Sequence, residues 1–211
     1  MRLYHFFRSS AAYRIRIALN LKGVEREQVP VDLLAGEQSL PGYREANPQG
    51  MVPALDIGHG APLTQSLAIL EYLEERFPEP PMLPRSAEER ARVRAMAQIV
   101  VSDIHPLVTL RVMRQLSEQF QASQAAVDAW LRHWMHEGFT ALEQMIGDDG
   151  HCFGGRTTLA DVCLVPQVVS ARHFGVPLDP FPRVCKVADL CGSLPAFAMA
   201  HPSRQPEAGH Q

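Results

Sequence analysis

Lysine is almost missing from this 211-residue chain: of 20 basic residues, 18 are Arg and only Lys22 and Lys186 are Lys. With Arg so common, its mere presence at a position says little about function. The chain also lacks any excess of charge. Residues 1–85 carry 9 Lys and Arg against 10 Asp and Glu, residues 86–211 carry 11 against 13, and the net charge is −3. Neither part offers the positive stripe that binds nucleic acid or an anionic membrane surface. No apolar run approaches the roughly 20 residues needed to span a bilayer. Arg2, Arg8, Arg14 and Arg16 interrupt any signal-peptide core. Cysteine is sparse, and Cys152, Cys163, Cys185 and Cys191 form no CxxC pair. They read as reduced thiols of a cytoplasmic protein, with neither a disulfide framework nor a zinc site. What is present is 46% hydrophobic and 20% charged, enough to bury a core in one large domain or two small ones.

The chain has two characters. Leu3–Phe7 suits a strand, Tyr13–Leu21 has helical spacing closed by Gly23, and Val24–Leu33 alternates like a second strand. This strand–helix–strand order predicts a βαβ unit. A polar stretch over 34–50 ends in Asn47-Pro48-Gln49-Gly50. Val52–Ile57 and Ala61–Thr64 then predict a hairpin across Gly58-His59-Gly60. Ser66 suits the N-cap of a helix running to Phe77, and Pro78, Pro80, Pro81 and Pro84 end it. Beyond this point no strand pattern is found. Ser86–Glu89 is a capping box opening a long helix that Pro106 should kink. Further helices are predicted over 123–146, 158–173 and 181–200, with a second box at Thr158–Asp161 and an exposed tail from Pro202. The expectation is an α/β domain over 1–80, a linker over 81–85 and an all-helical domain over 86–211.

Three places can carry chemistry. Ser9-Ser10 lies where strand meets helix, so a hydroxyl there can cap the helix or donate to an anion near its free N–H groups. Pro53 enters a strand and removes a ladder donor, which leaves the backbone of Val52 for a ligand or for an edge. Gln65-Ser66 opens a helix and can cap it or receive a carboxylate. His133 and His136 have no evident third partner for a metal. Trp130 and Trp134 read as packing, and Cys152 and Cys163 as small buried hydrophobes. Each of the three signals alone is explained by local structure.

Their order along the chain is more specific. Arg8-Ser9-Ser10-Ala11-Ala12-Tyr13-Arg14-Ile15-Arg16-Ile17-Ala18-Leu19, followed by Leu21-Lys22-Gly23, resembles the signature of the zeta class of glutathione transferases, the maleylacetoacetate and maleylpyruvate isomerases. Asn47-Pro48, Val52-Pro53, Gln65–Ile69, Asp103–Pro106 and Leu159–Gln167 match the same pattern. The resemblance implies a thioredoxin-like α/β domain that binds glutathione, an all-α C-terminal domain that supplies the substrate pocket, and a homodimer. It further implies that Ser9 faces the glutathione sulfur with Ser10 beside it, and that Val52 pairs with the cysteinyl backbone. Gln65 and Ser66 would hold the γ-glutamyl carboxylate, and Gln38, Gln49, Asp103, His105 and Thr109–Arg111 would contact glutathione or substrate. A dicarboxylate substrate calls for cationic clamps, for which Arg8 and Arg111 are the candidates; Arg14 and Arg16 are left as structural. The chain departs from the pattern at Ala11, where a Cys is common, at Val108-Thr109, and at His173, where an Arg is usual.

The activity so implied is glutathione-dependent cis–trans isomerisation of a small dicarboxylate, with glutathione as cofactor. Two other readings stand beside it. One is a transferase that conjugates or dehalogenates small electrophiles and consumes glutathione; the other is a non-catalytic binding protein on the same scaffold.

Overall fold

Leu3 and His5 point inward from β1 (Arg2–His5), and both are fully buried. The computed structural model describes residues 1–210. From β1 the chain runs through α1 (Ser10–Leu21) to β2 (Glu27–Pro30), which pairs parallel to β1 with Leu3 opposite Gln28. The βαβ unit is therefore present, with strands shorter than the alternation predicted. After α2 (Pro41–Ala46), β3 (Ala54–Asp56) returns antiparallel to β1, and β4 (Leu63–Thr64) pairs with β3 as the expected hairpin. The sheet order is β2-β1-β3-β4. α3 (Ser66–Arg76) follows.

α1 has buried residues all along it, from Ala11 to Leu19. It is stopped as its sequence indicates: Gly23 adopts φ +64°, its N–H bonds the Asn20 carbonyl, and the Val24 N–H bonds the Leu19 carbonyl. That is the Schellman closure. Leu3, Ile15, Ile17, Leu19, Leu55, Ile69, Leu70 and Leu73 are all 0% exposed, each contributing about 1.5–3 kcal/mol by burial.

The last helical segment differs from the expected single helix over 181–200. α8 (Pro182–Ser193) stops and α9 (Pro195–Ala200) begins anew. Pro195 lacks an N–H and drives Leu194 out of the helical region, to ψ 138°. The chain divides into Met1–Pro81 with the segment from Ser193, and Met82–Gly192. The C-terminal segment thus belongs with the sheet, not with the helical domain expected over 86–211.

The physical reason is a set of donors on α1. The Tyr13 hydroxyl bonds the Phe197 carbonyl at 3.2 Å, the Asn20 amide bonds that of Ala196 at 2.8 Å, and Arg16 Nε bonds that of Ala200 at 2.9 Å. Arg16 Nη2 also bonds the Phe7 carbonyl at 2.9 Å. Burial pushes His5 down to about 3 and Arg16 down to about 10. His5 is thus neutral at pH 7, and its Nδ1 accepts from Arg16 Nη1 at 3.3 Å. Nor is the tail beyond Pro202 simply exposed: Gln205 is buried and donates to the carbonyls of Met199 and His201, both at 3.0 Å.

The second unit is helical. Residues 81–85, expected as a linker, are partly incorporated: Met82 and Leu83 are buried, and the Met82 carbonyl accepts the Leu159 N–H at 2.8 Å. Ser86 caps α4 (Ala87–Gln98) by accepting the Glu89 N–H at 3.1 Å. Instead of one helix kinked at Pro106, α4 ends at Gln98 and the chain widens into a π-helical turn, Ile99–Ile104, with the His105 N–H reaching the Val100 carbonyl. A tight 3₁₀ turn, His105–Val108, carries Pro106 before α5 (Leu110–Glu118) starts. His105 keeps α geometry before the proline (φ −54°, ψ −43°), but Pro106 has no N–H to give the carbonyl four residues back, and the hydrogen-bond ladder changes over the turn upstream. α6 (Gln124–Met145) and α7 (Leu159–His173) complete the unit with α8. The Asp161 carboxylate accepts the N–H and hydroxyl of Thr158, both at 2.7 Å, and the Cys152 N–H at 2.8 Å. Among the described residues no helix is long and apolar enough to cross a membrane.

Gly138 of α6 sets how closely that helix meets the π turn. A Cβ there would lie 2.3 Å from both Cδ1 and Cγ1 of the fully buried Ile104. Gly138→Ala gains about 1 kcal/mol of helix propensity but overpacks the contact by about 1–3 kcal/mol. The expected net result is lower stability in denaturant titration. Ile104→Val in the same background should recover part of the loss.

Candidate functional site

Ser9 occupies the N-cap of α1 (φ −67°, ψ 118°), and its Oγ accepts the Ala12 N–H at 3.2 Å. Its cap role and its donor role are compatible. A hydroxyl has two lone pairs and one proton; the cap uses one lone pair, and the proton remains to be donated. The first turn of α1 contains no acidic residue, so the positive end of the helix is not offset locally. Ser10 is the first helical residue, half-buried like Ser9, and Arg8 is exposed beside them.

The loop before β3 is held from inside. Asn47, buried, accepts the Gln49 N–H at 3.0 Å and donates to the Met51 carbonyl at 2.7 Å. That carbonyl also receives the Tyr43 hydroxyl. Ladder pairing of β3 begins at Ala54, opposite Tyr4, so the backbone of Val52 lies outside the ladder, next to a cis bond to Pro53. The Val52 side chain packs with Phe6, Phe7, Val31 and Tyr43.

Ser66 is not the N-cap expected from sequence. Gln65 holds that position with φ +68°, and no side chain caps the helix; Ser66 is its first residue. The reason is a more distant donor: Arg14 Nη1 bonds Ser66 Oγ at 3.1 Å. The Gln65 amide turns instead to Gln49, donating to its Oε1 at 2.7 Å. Gln38 adjoins the same loop, since a Cβ on Gly50 would meet its carbonyl oxygen at 2.8 Å, and its amide lies 3.5 Å from the Leu33 carbonyl. Gln49 and Gln65 are thereby joined by a hydrogen bond, Gln38 borders Gly50 beside Gln49, and Arg14 ties Ser66 to α1.

The remaining candidates lie in the second unit. Asp103 is exposed on the π turn, His105 is half-buried at the start of the 3₁₀ turn, and Thr109 donates to the Pro106 carbonyl at 3.3 Å. Arg111 is exposed in the first turn of α5, and His173 is the exposed last residue of α7, its ring 5.1 Å from that of Phe174.

Three of the chain's four thiols are poor nucleophiles. Burial pushes the Cys152, Cys185 and Cys191 thiols up, and the thiolate is the reactive form. Tyr13, inside the signature, is pushed up to about 12 by burial and donates to a carbonyl. Among the described residues no three His, Cys, Asp or Glu side chains are grouped to hold a metal. Sequence reasoning missed Arg14, Tyr43 and the detailed role of Asn47. Only Asn47, before Pro48, carried a local signal.

Comparison with known proteins adds to this geometry. Residues 1–75 match the family model "Glutathione S-transferase, N-terminal domain". Maleylacetoacetate isomerase of Pseudomonas aeruginosa is 49% identical over 98% of each chain. A solved maleylpyruvate isomerase, described as a bacterial zeta-class glutathione S-transferase, superposes with a TM-score of 0.95 at 46% identity, covering 98% of this chain and 99% of that one. The maleylacetoacetate isomerase of Methylobacterium extorquens AM1, solved with malonate and glutathione bound, gives 0.94 at 42% identity over 98% of each chain. With a thioredoxin-like first domain and an all-α second one, and with identities of this size along nearly its whole length, the chain belongs to the zeta class of the glutathione S-transferase family, among the maleylacetoacetate and maleylpyruvate isomerases.

Proposed function

We propose that this protein is a glutathione-dependent isomerase that converts maleylacetoacetate or maleylpyruvate to the fumaryl isomer. The observation that carries the reading is Ser9: a helix-capping hydroxyl with its proton still to donate, at a helix end with no local counter-charge. The other residues suit a γ-glutamyl tripeptide. Gln65 and Ser66 at the start of α3 suit its carboxylate, the Val52 backbone outside the ladder suits its cysteinyl amide, and Gln38 and Gln49 border the same loop.

When bound, glutathione supplies the thiolate whose addition to a cis double bond permits rotation and whose expulsion regenerates it unchanged. The protein's part is to hold and to polarise. Ser9 donates to the sulfur, and Ser10 borders it. Arg8 in the first unit and Arg111 in the second are the cationic candidates for substrate carboxylates, with His173 where an Arg is usual. Asp103, His105 and Thr109 contribute from the turn before α5. A homodimer belongs to the same reading, as does a dicarboxylate substrate, which the malonate and glutathione bound in the Methylobacterium structure support.

The test is product analysis. With either maleyl substrate and substoichiometric glutathione, the fumaryl isomer should accumulate over many turnovers while the free-thiol titre returns to its starting value. Consumption of one thiol per product would overturn isomerisation in favour of conjugation. Failure to bind glutathione in calorimetry would leave the binding-protein reading.

A further inference from the structure

Arg14 lies just over one turn into α1 and is 0% exposed. Its guanidinium donates through Nη1 to Ser66 Oγ at 3.1 Å, across 52 residues of sequence. A guanidinium has donors only, so the serine oxygen is the acceptor in this bond. That determines the direction of the other half of the hydroxyl: its proton goes to a second acceptor. Ser66 is itself only 5% exposed, so little of its surface is open to that acceptor. No acidic residue occupies the first turn of α3, so no carboxylate of that turn takes the proton. Gln65, turned to φ +68°, sends its amide to Gln49 and does not compete for the serine.

We infer that Arg14 is a positioning residue for the carboxylate subsite. Held behind Ser66, it orients and polarises the hydroxyl so that Ser66 donates to the α-carboxylate of the γ-glutamyl group, while Arg14 never touches the ligand. The inference rests on the proposed glutathione reading and adds to it a residue that sequence reasoning leaves as structural. A hydroxyl that already accepts from a cation is a stronger donor to an anion. The contribution is therefore specific to a charged ligand end, and a merely structural arginine would not have that property.

The test compares two probes: glutathione, and γ-aminobutyryl-cysteinylglycine, which lacks only that carboxylate. Calorimetric Kd values are measured for the wild type, Arg14→Met, Ser66→Ala and the double variant, with melting curves to verify folding. The wild type should prefer glutathione by about 10–100-fold, the range expected for hydrogen bonds to a charged group. Arg14→Met should reduce that preference to about threefold or less with affinity for the second probe unchanged. The double variant should match Ser66→Ala, because the two residues act in series. If Arg14→Met does not fold, Arg14→Lys serves: it keeps a charge and a donor but not the planar fork, and should retain an intermediate preference. A folded Arg14 variant that keeps the full preference, or that weakens both probes equally, overturns the assignment of Arg14 alone. A wild type that binds both probes equally well overturns the carboxylate reading of Gln65 and Ser66, and the assignment with it.

Discussion

Ser9→Ala will lower kcat/KM at pH 7 by about 10–100-fold, and the deficit will shrink as pH rises. A thiol with pKa near 8.5 is only about 3% ionised at pH 7. Bringing it down by about two units requires roughly 2.7 kcal/mol of preferential stabilisation of the anion. A helix N-terminus supplies about 0.3–1 kcal/mol at an exposed site, which is too little. A hydroxyl donating to a charged acceptor supplies about 1.5–3 kcal/mol, so Ser9 carries the larger share. Removing it returns the bound thiol toward its ordinary pKa by about one to two units. The same substitution removes the cap bond to Ala12 and costs about 0.5–2 kcal/mol of stability, so activity is compared at temperatures where both proteins are folded. Thiolate absorbance followed against pH measures the shift directly. Ser10→Ala, which leaves the capping hydroxyl in place, should shift the curve much less. Coincident curves for the two variants would remove Ser9 from its role.

Lys22→Met will be the most destabilising of these substitutions, by about 3–5 kcal/mol. Lys22 follows the last turn of α1, its side chain wholly buried, with Nζ 2.7 Å from Glu74 Oε2 and 2.7 Å from the Pro80 carbonyl. Glu74 is itself only 7% exposed. The mutant takes the ammonium away from a buried carboxylate, and breaking a buried ion pair by removing one member is strongly destabilising. In a chain of this size about 1 kcal/mol moves the melting temperature by roughly 2–4 °C, so a fall on the order of 10 °C is expected. Lys22→Met combined with Glu74→Leu should lie much nearer the wild type, because the pair then leaves together. If the single and double variants melt alike, the ion pair is not what holds this corner.

How much was legible beforehand follows from the span of each interaction. The βαβ unit, the hairpin and the stop at Gly23 were readable because their determinants sit a few residues apart. So were the caps at Ser86 and Thr158, and a capping hydroxyl at the Ser9-Ser10 junction. Failures came where a distant group overrode a local preference. Ser66 has the residue type of an N-cap, but Arg14 claims its oxygen. Pro106 was expected to kink one helix, whereas the chain forms a π turn upstream and fits Ile104 over Gly138. α8 begins under the Glu143 carboxylate of α6, which accepts the N–H groups of Arg183 and Val184 at 2.9–3.0 Å; no pattern within α8 announces it.

The amino-acid order alone determined the class of this protein, since the Arg8–Gly23 segment and the Val52-Pro53 and Gln65-Ser66 pairs are contiguous and need no coordinates to be read. Tertiary structure decided what the buried charges do. Arg14 meets Ser66 and Lys22 meets Glu74 across 52 residues in each case, and Arg16 meets the Ala200 carbonyl across 184. A charge can be taken out of water only against a partner of suitable geometry, and folding, rather than proximity along the chain, brings such partners together.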